Sequence, residues 1–214
     1  MVTVRELLRS GADLPSDSAR RDSEILLCHS LGKSRTWLYT WPEHAVAPEC
    51  AQRFNELLAQ RRAGVPVAYL IGEREFWSLS LAVNSATLIP RPETETLVAW
   101  ALELALPDDA RVLDLGTGSG AIALAVAVER PLWQVTALDS SADALQVARA
   151  NADTLGLQRV NLLQSDWFQG VVGQRFDVLL ANPPYIDGDD PHLARDDVRF
   201  EPRSARVAAQ QGLA

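Results

Sequence analysis

Asn182-Pro183-Pro184-Tyr185 sets a planar amide, two rigid rings and an aromatic ring side by side. It follows Phe176-Asp177-Val178-Leu179-Leu180-Ala181, a largely apolar run that reads as a buried strand. Proline fixes φ and lacks a donor, so two in a row end the strand and stiffen the turn. In open α/β sheets, ligands bind outside the carboxyl ends of the strands. A stiff turn carrying an amide and a ring suits a flat group rich in N–H. Acceptors meet its hydrogens, and the ring covers its face. On these four residues alone, a plain strand-ending turn explains the pattern equally well.

Three earlier strand ends narrow the choice. Arg111-Val112-Leu113-Asp114-Leu115 runs into Gly116-Thr117-Gly118-Ser119-Gly120-Ala121. Glycines at alternate positions let backbone approach a ligand closely, with a helix beginning beyond them. Gly116, Gly118 and Ala121 also fit the dinucleotide pattern G-x-G-x-x-A, which is weak by itself. The denser D-x-G-x-G-x-G spacing resembles the first motif of methyltransferases that use S-adenosyl-L-methionine, whose amino-acid tail replaces a pyrophosphate. Asp114, Gly116, Thr117, Gly118, Ser119 and Gly120 are therefore expected at a cofactor. The next strand ends at Asp139, 139 − 116 = 23 residues past the first glycine. A carboxylate there accepts both ribose hydroxyls of NAD or of S-adenosyl-L-methionine alike. The third strand ends at Asp166-Trp167, where an acid can take the adenine amine and an aromatic ring can cover the purine.

Repeating β-α-β must position these ends. Strands are expected at 111–115, 134–138, 160–164 and 176–181, with helices at 121–129 and 142–155 between them. The result is a parallel, doubly wound sheet. Upstream, residues 1–72 read as a helical bundle: a short turn at 4–9, a helix at 18–31 burying Ile25, Leu26 and Leu27, one near Trp37–Tyr39, and one at 48–62 with Phe54, Leu57 and Leu58 inward. Residues 73–90 read as a hairpin linker, with a strand at 76–83, a turn at Asn84-Ser85 and a return strand at 87–89. A helix is expected from Glu93 to about Leu106, so the catalytic part occupies 91–214.

Net charge is −8, and it is uneven. Residues 1–75 hold 10 basic and 10 acidic residues, whereas 76–214 hold 10 and 18. An acidic catalytic part, in a chain whose single lysine is Lys33 of the helical part, disfavours direct nucleic-acid binding, which relies on Lys and Arg. Cys28 and Cys50 have no metal-ligand spacing and read as reduced thiols of a cytoplasmic protein. No apolar run is long enough to cross a bilayer. Oligomeric state is not legible. His29 and His44 lie in the helical part, and His192 reads as a solvated loop residue.

Arg74-Glu75-Phe76-Trp77-Ser78, Leu88-Ile89-Pro90-Arg91-Pro92-Glu93-Thr94-Glu95, Leu113–Leu124, Asn182–Ile186 and Asp197-Val198-Arg199-Phe200-Glu201-Pro202 together resemble the HemK/PrmC-type family of protein-(glutamine-N(5)) methyltransferases. Ala19 to Leu27 resembles that family's N-terminal helical domain. The resemblance implies a Rossmann-like methyltransferase fold, S-adenosyl-L-methionine as cofactor, and peptide chain release factors as protein substrates. Gly116 to Gly120 then line the methionine part, Asp139 holds the ribose and Trp167 flanks the adenine. Asn182 touches cofactor and substrate, and Pro183, Pro184 and Tyr185 finish a pocket for the glutamine of a Gly-Gly-Gln motif. On this reading the Asn182 side-chain oxygen and the Pro183 carbonyl accept the amide hydrogens, Tyr185 packs on the amide plane, and no nucleophile is needed. The family's sheet has seven strands and four are legible here. The chain is thus expected to be C-terminally truncated, leaving a non-catalytic fragment as one alternative and an adenine-specific nucleic-acid methyltransferase as another.

Overall fold

A computed structural model describes residues 1–187, 190 and 197–208. His192 lies outside the described residues. The chain divides into two compact units, Met1–Ile71 and Gly72–Ala214.

The first unit is helical: α1 (Val4–Ser10), α2 (Ala19–Leu31), α3 (Arg35–Thr40), α4 (Pro48–Arg62) and α5 (Val67–Ile71). Thr3 closes a capping box with Glu6 at the start of α1, and Pro48 opens α4 where its missing N–H costs nothing. Leu26, Leu27, Phe54 and Leu58 are buried together, as the helical spacing predicts. Ile25 is only half-buried, and the polar Asp22, Ser23 and Glu24 take inward positions instead. For the two acids the reason is charge pairing. Asp22 accepts from Arg61 of α4 at 2.8 Å, and Glu24 accepts from Arg20, Arg35 and Tyr39.

The second unit starts with a hairpin, β1 (Glu73–Phe76) and β2 (Leu79–Ala82). Its turn is Trp77-Ser78, with φ of 52° and 59°, not Asn84-Ser85 as expected. Two consecutive positive φ values match the strand twist of a two-residue turn, but they disfavour side chains. Tertiary contacts offset that cost: Trp77 donates its backbone N–H to Glu95 and its indole N–H to Glu129. Asn84 does make a turn, accepting from the Ala86 and Thr87 N–H groups, but no return strand follows it.

A short 3₁₀ turn, Pro92–Thr94, precedes α6 (Glu95–Glu103). Then come β3 (Arg111–Leu115), α7 (Ala121–Glu129), β4 (Gln134–Asp139), α8 (Ala142–Thr154), β5 (Asn161–Gln164) and β6 (Val178–Ala181). The four strands pair in parallel in the order β5-β4-β3-β6. Helix α7 is apolar throughout its buried length, from Ala121 to Ala127, because it packs against the sheet beside Val112 and Val135. β7 (Ile186–Asp187) leaves the Pro-Pro turn directly and pairs with β8 (Val207–Ala208). All carboxyl ends of β3 to β6 share one rim, since the strands are parallel.

Candidate functional site

The rim is organised by the loop after β3. Gly116 and Thr117 both donate their N–H groups to the Leu138 carbonyl at 2.9 Å, which folds the loop over the end of β4. Gly116, Gly118 and Gly120 have φ of 70°, 57° and 86°. A Cβ at Gly116 or Gly118 meets nothing within 4 Å, so these two face open space. At Gly120 it meets Leu124 Cδ1 at 2.9 Å, so this glycine packs against its own helix.

Asp139 ends β4 and knits the rim. Its Oδ2 accepts the Gly118 N–H and its Oδ1 accepts the Ser141 N–H, each at 2.9 Å. Ser141 itself caps α8 through the Ala144 N–H, which leaves Asp139 aimed at the loop. Each carboxylate oxygen retains a further acceptor site for a ligand hydroxyl.

Asp114 differs. It is fully buried behind the loop and accepts the Thr117 hydroxyl at 2.6 Å on Oδ2. Its Oδ1 has no hydrogen-bond partner. Burial pushes its carboxyl up to about 6. The Thr117 hydroxyl and the Ala123 backbone N–H pull it back, and the Asp139 charge adds to the rise. Asn151 of α8 fastens the same loop from the side. Its Nδ2 donates to the Ser119 and Ala82 carbonyls and its Oδ1 accepts the Ala82 N–H, tying the loop to β2.

These parts surround a cavity of about 250 Å³. Gly116 to Ser119, Asp139, Asp166, Trp167, Asn182, Pro183 and Pro184 all line it. Asp114 and Gly120 support the loop from behind and do not reach the cavity. Trp167 is 49% exposed at φ +47°, held by Ser165, whose hydroxyl donates to the Trp167 carbonyl at 2.7 Å. A bulky residue in the left-handed region stores strain, and such strain gathers at ligand sites. A second cavity of about 660 Å³ adjoins the first through Leu88, Arg91, Thr94 and Asn182 to Pro184. Tyr185, 72% exposed, lines only the second.

Sequence spacing did not flag Thr94, Arg91 or Glu201 as parts of this wall. Glu201 is 3% exposed, accepts both contacts from Arg91 Nη2 at 2.8 Å and also takes the Ile89 N–H. Its partners lie 110 and 112 residues away, so no local pattern announces them. Among the described residues no group of three His, Cys, Asp or Glu side chains could hold a metal ion. No helix among them is long and apolar enough to cross a membrane.

Comparison with known proteins bears on this site. Residues 5–72 match the PrmC N-terminal domain family, and residues 94–198 match the methyltransferase small domain family. The release factor glutamine methyltransferase of Shewanella oneidensis is 55% identical over 199 residues, covering 93% of this chain and 70% of that protein. The chain belongs to the release factor glutamine methyltransferase family. The Escherichia coli K12 enzyme of the same name is 51% identical over 93% of this chain and 72% of its own length. That of Pseudomonas aeruginosa is 51% identical over 100% and 77%. Among solved structures, a METTL16 methyltransferase domain aligns over 55% of this chain and 57% of its own, at TM-score 0.45 and 19% identity.

Members of this family are methyltransferases, and their cofactor is S-adenosyl-L-methionine. The cavity fits that group. Two glycines leave open the space that Cβ atoms would fill, and the Asp139 carboxylate and the half-exposed Trp167 indole line the same cavity.

Proposed function

We propose that the chain methylates the side-chain amide nitrogen of the glutamine in the Gly-Gly-Gln motif of peptide chain release factors. The observation that carries this reading is the shared wall. The glycine loop and Asn182-Pro183-Pro184 line one cavity, and that turn also lines the adjoining one.

Bound S-adenosyl-L-methionine would supply an electrophilic methyl, with a neutral thioether as leaving group and the acceptor nitrogen's proton lost to water. Gly116 to Ser119 line the amino-acid tail, with Asp114 and Gly120 shaping the loop from behind. Asp139 accepts the ribose hydroxyls, Asp166 takes the adenine amine, and Trp167 covers the purine. A carboxamide nitrogen is a weak nucleophile because its lone pair is delocalised. Catalysis is therefore chiefly alignment, which contributes roughly 7–11 kcal/mol in favourable cases. The Asn182 side-chain oxygen and the Pro183 carbonyl accept the two N–H groups, and Tyr185 packs over the amide plane. Residues 1–72 dock the protein substrate, residues 73–90 connect, and the transfer site lies in 91–214. The two free, half-buried cysteines suit the reducing cytoplasm where release factors act.

The test is transfer of labelled methyl from S-adenosyl-L-methionine to a purified release factor. Incorporation that disappears when the motif glutamine is replaced supports the reading. Undiminished incorporation into the replaced protein defeats it.

A further inference from the structure

Asn182 is held across the chain rather than by its own turn. Its Nδ2 donates to the Thr94 hydroxyl at 3.2 Å, a partner 88 residues away. Thr94 closes the 3₁₀ turn Pro92–Thr94, where its N–H donates to the Arg91 carbonyl at 3.0 Å. That turn is anchored in the interior. Arg91 grips both oxygens of Glu201 at 2.8 Å, and Glu201 also fixes the Ile89 backbone at 3.2 Å. The Glu201 side chain is fully buried, so the acceptor side of this anchor is closed to solvent, while the Arg91 side chain is partly exposed. The Thr94 hydroxyl therefore has a fixed place. Both Thr94 and Asn182 line both cavities, which puts their contact on the wall shared by donor and acceptor.

A primary amide is planar, with nitrogen and oxygen on opposite sides of the side-chain axis. Fixing the nitrogen on Thr94 turns the oxygen the other way. The Asn side-chain torsion that exchanges them is broad and costs little to rotate. If the group flips, its own N–H bonds face the N–H bonds of an incoming carboxamide, and an attraction becomes a repulsion. We infer that Thr94 is a positioning residue for methyl transfer: its hydroxyl takes one Asn182 amide hydrogen and so tethers the side chain in the orientation seen here, with Oδ1 left for the acceptor amide. The inference rests on the proposed function, because it needs an N–H-bearing acceptor.

Thr94→Val keeps the shape and removes the hydroxyl, while Thr94→Ser keeps the hydroxyl. Each is assayed for cofactor affinity, kcat and release-factor KM. Loss of alignment at a reacting centre costs on the order of tenfold to a hundredfold. The valine variant is expected to lose about tenfold or more in kcat with cofactor affinity within about twofold, and serine to restore kcat to within about threefold. A valine variant with wild-type kcat overturns the inference. So does a serine variant as slow as valine, or a valine variant whose cofactor affinity falls along with kcat. If the wild-type protein itself methylates no glutamine, the proposed function fails. If it does and Thr94→Val is unimpaired, only the role of Thr94 fails.

Discussion

Asp114→Asn separates the cost of a buried carboxylate from the geometry of the loop in front of it. Asp114 is fully buried, and its carboxyl rises from 3.8 to about 6. An acid whose folded value is raised loses stability as pH climbs. Its contribution is complete below the unfolded value near 3.8 and is gone once pH passes about 6. A shift of about 2 pH units corresponds to roughly 3 kcal/mol in all, of which about half falls between pH 5 and pH 8. Asparagine keeps an acceptor for the Thr117 hydroxyl and carries no charge. The variant is therefore expected to be more stable than wild type at pH 8, with the gap narrowing by roughly 1–2 kcal/mol on going down to pH 5. Carboxylates remote from Asp114 titrate alike in both proteins and cancel in the difference. Hydrogen exchange of the β3 and α7 amides reads the unit that contains the site. Two parallel pH profiles, or a variant less stable than wild type at pH 8, refute the reasoning. The carboxylate would then not be paying a desolvation cost.

Two other perturbations divide support from contact. Gly116→Ala places a methyl in open space at the cavity, so cofactor affinity is expected to drop by at least tenfold while the strained φ costs only about 1 kcal/mol of stability. Gly120→Ala drives a methyl to 2.9 Å from Leu124, so stability is expected to fall by roughly 1–3 kcal/mol with the cavity lining itself unchanged. Calorimetric titration and thermal unfolding of both variants check the contrast, and equal effects in both assays contradict it. Deleting residues 1–70 is expected to raise the release-factor KM with little change in cofactor affinity, measured on the same preparation. The reverse pattern removes the docking role.

The sheet was legible because its strands and helices alternate with clear apolar runs. The predicted strand ends Leu115, Asp139 and Ala181 fall where β3, β4 and β6 stop. The same logic names the site residues, and most of them line one cavity. What stayed hidden depends on distant partners. The hairpin turns at Trp77-Ser78 because Glu95 and Glu129 hold Trp77, and neither acid is near in sequence. Helix α5 is five residues with a β-branched start and end, too short for a periodic signal. Asp114 was placed at the ligand because its motif stands there. Strand alternation alone could not say that its side chain lies behind the loop. The Thr94–Asn182 and Arg91–Glu201 contacts join segments whose types are unremarkable when read singly.

The account turns on Asn182 aligning an acceptor amide against a donor held independently by the glycine loop. Cofactor affinity and release-factor methylation measured side by side for Asn182→Ala test this directly. The expected result is a loss of turnover of at least a hundredfold with cofactor affinity changed by only a few-fold, the scale set by misplacing a reacting group. Turnover near wild type, or an equal collapse of affinity and turnover, contradicts it.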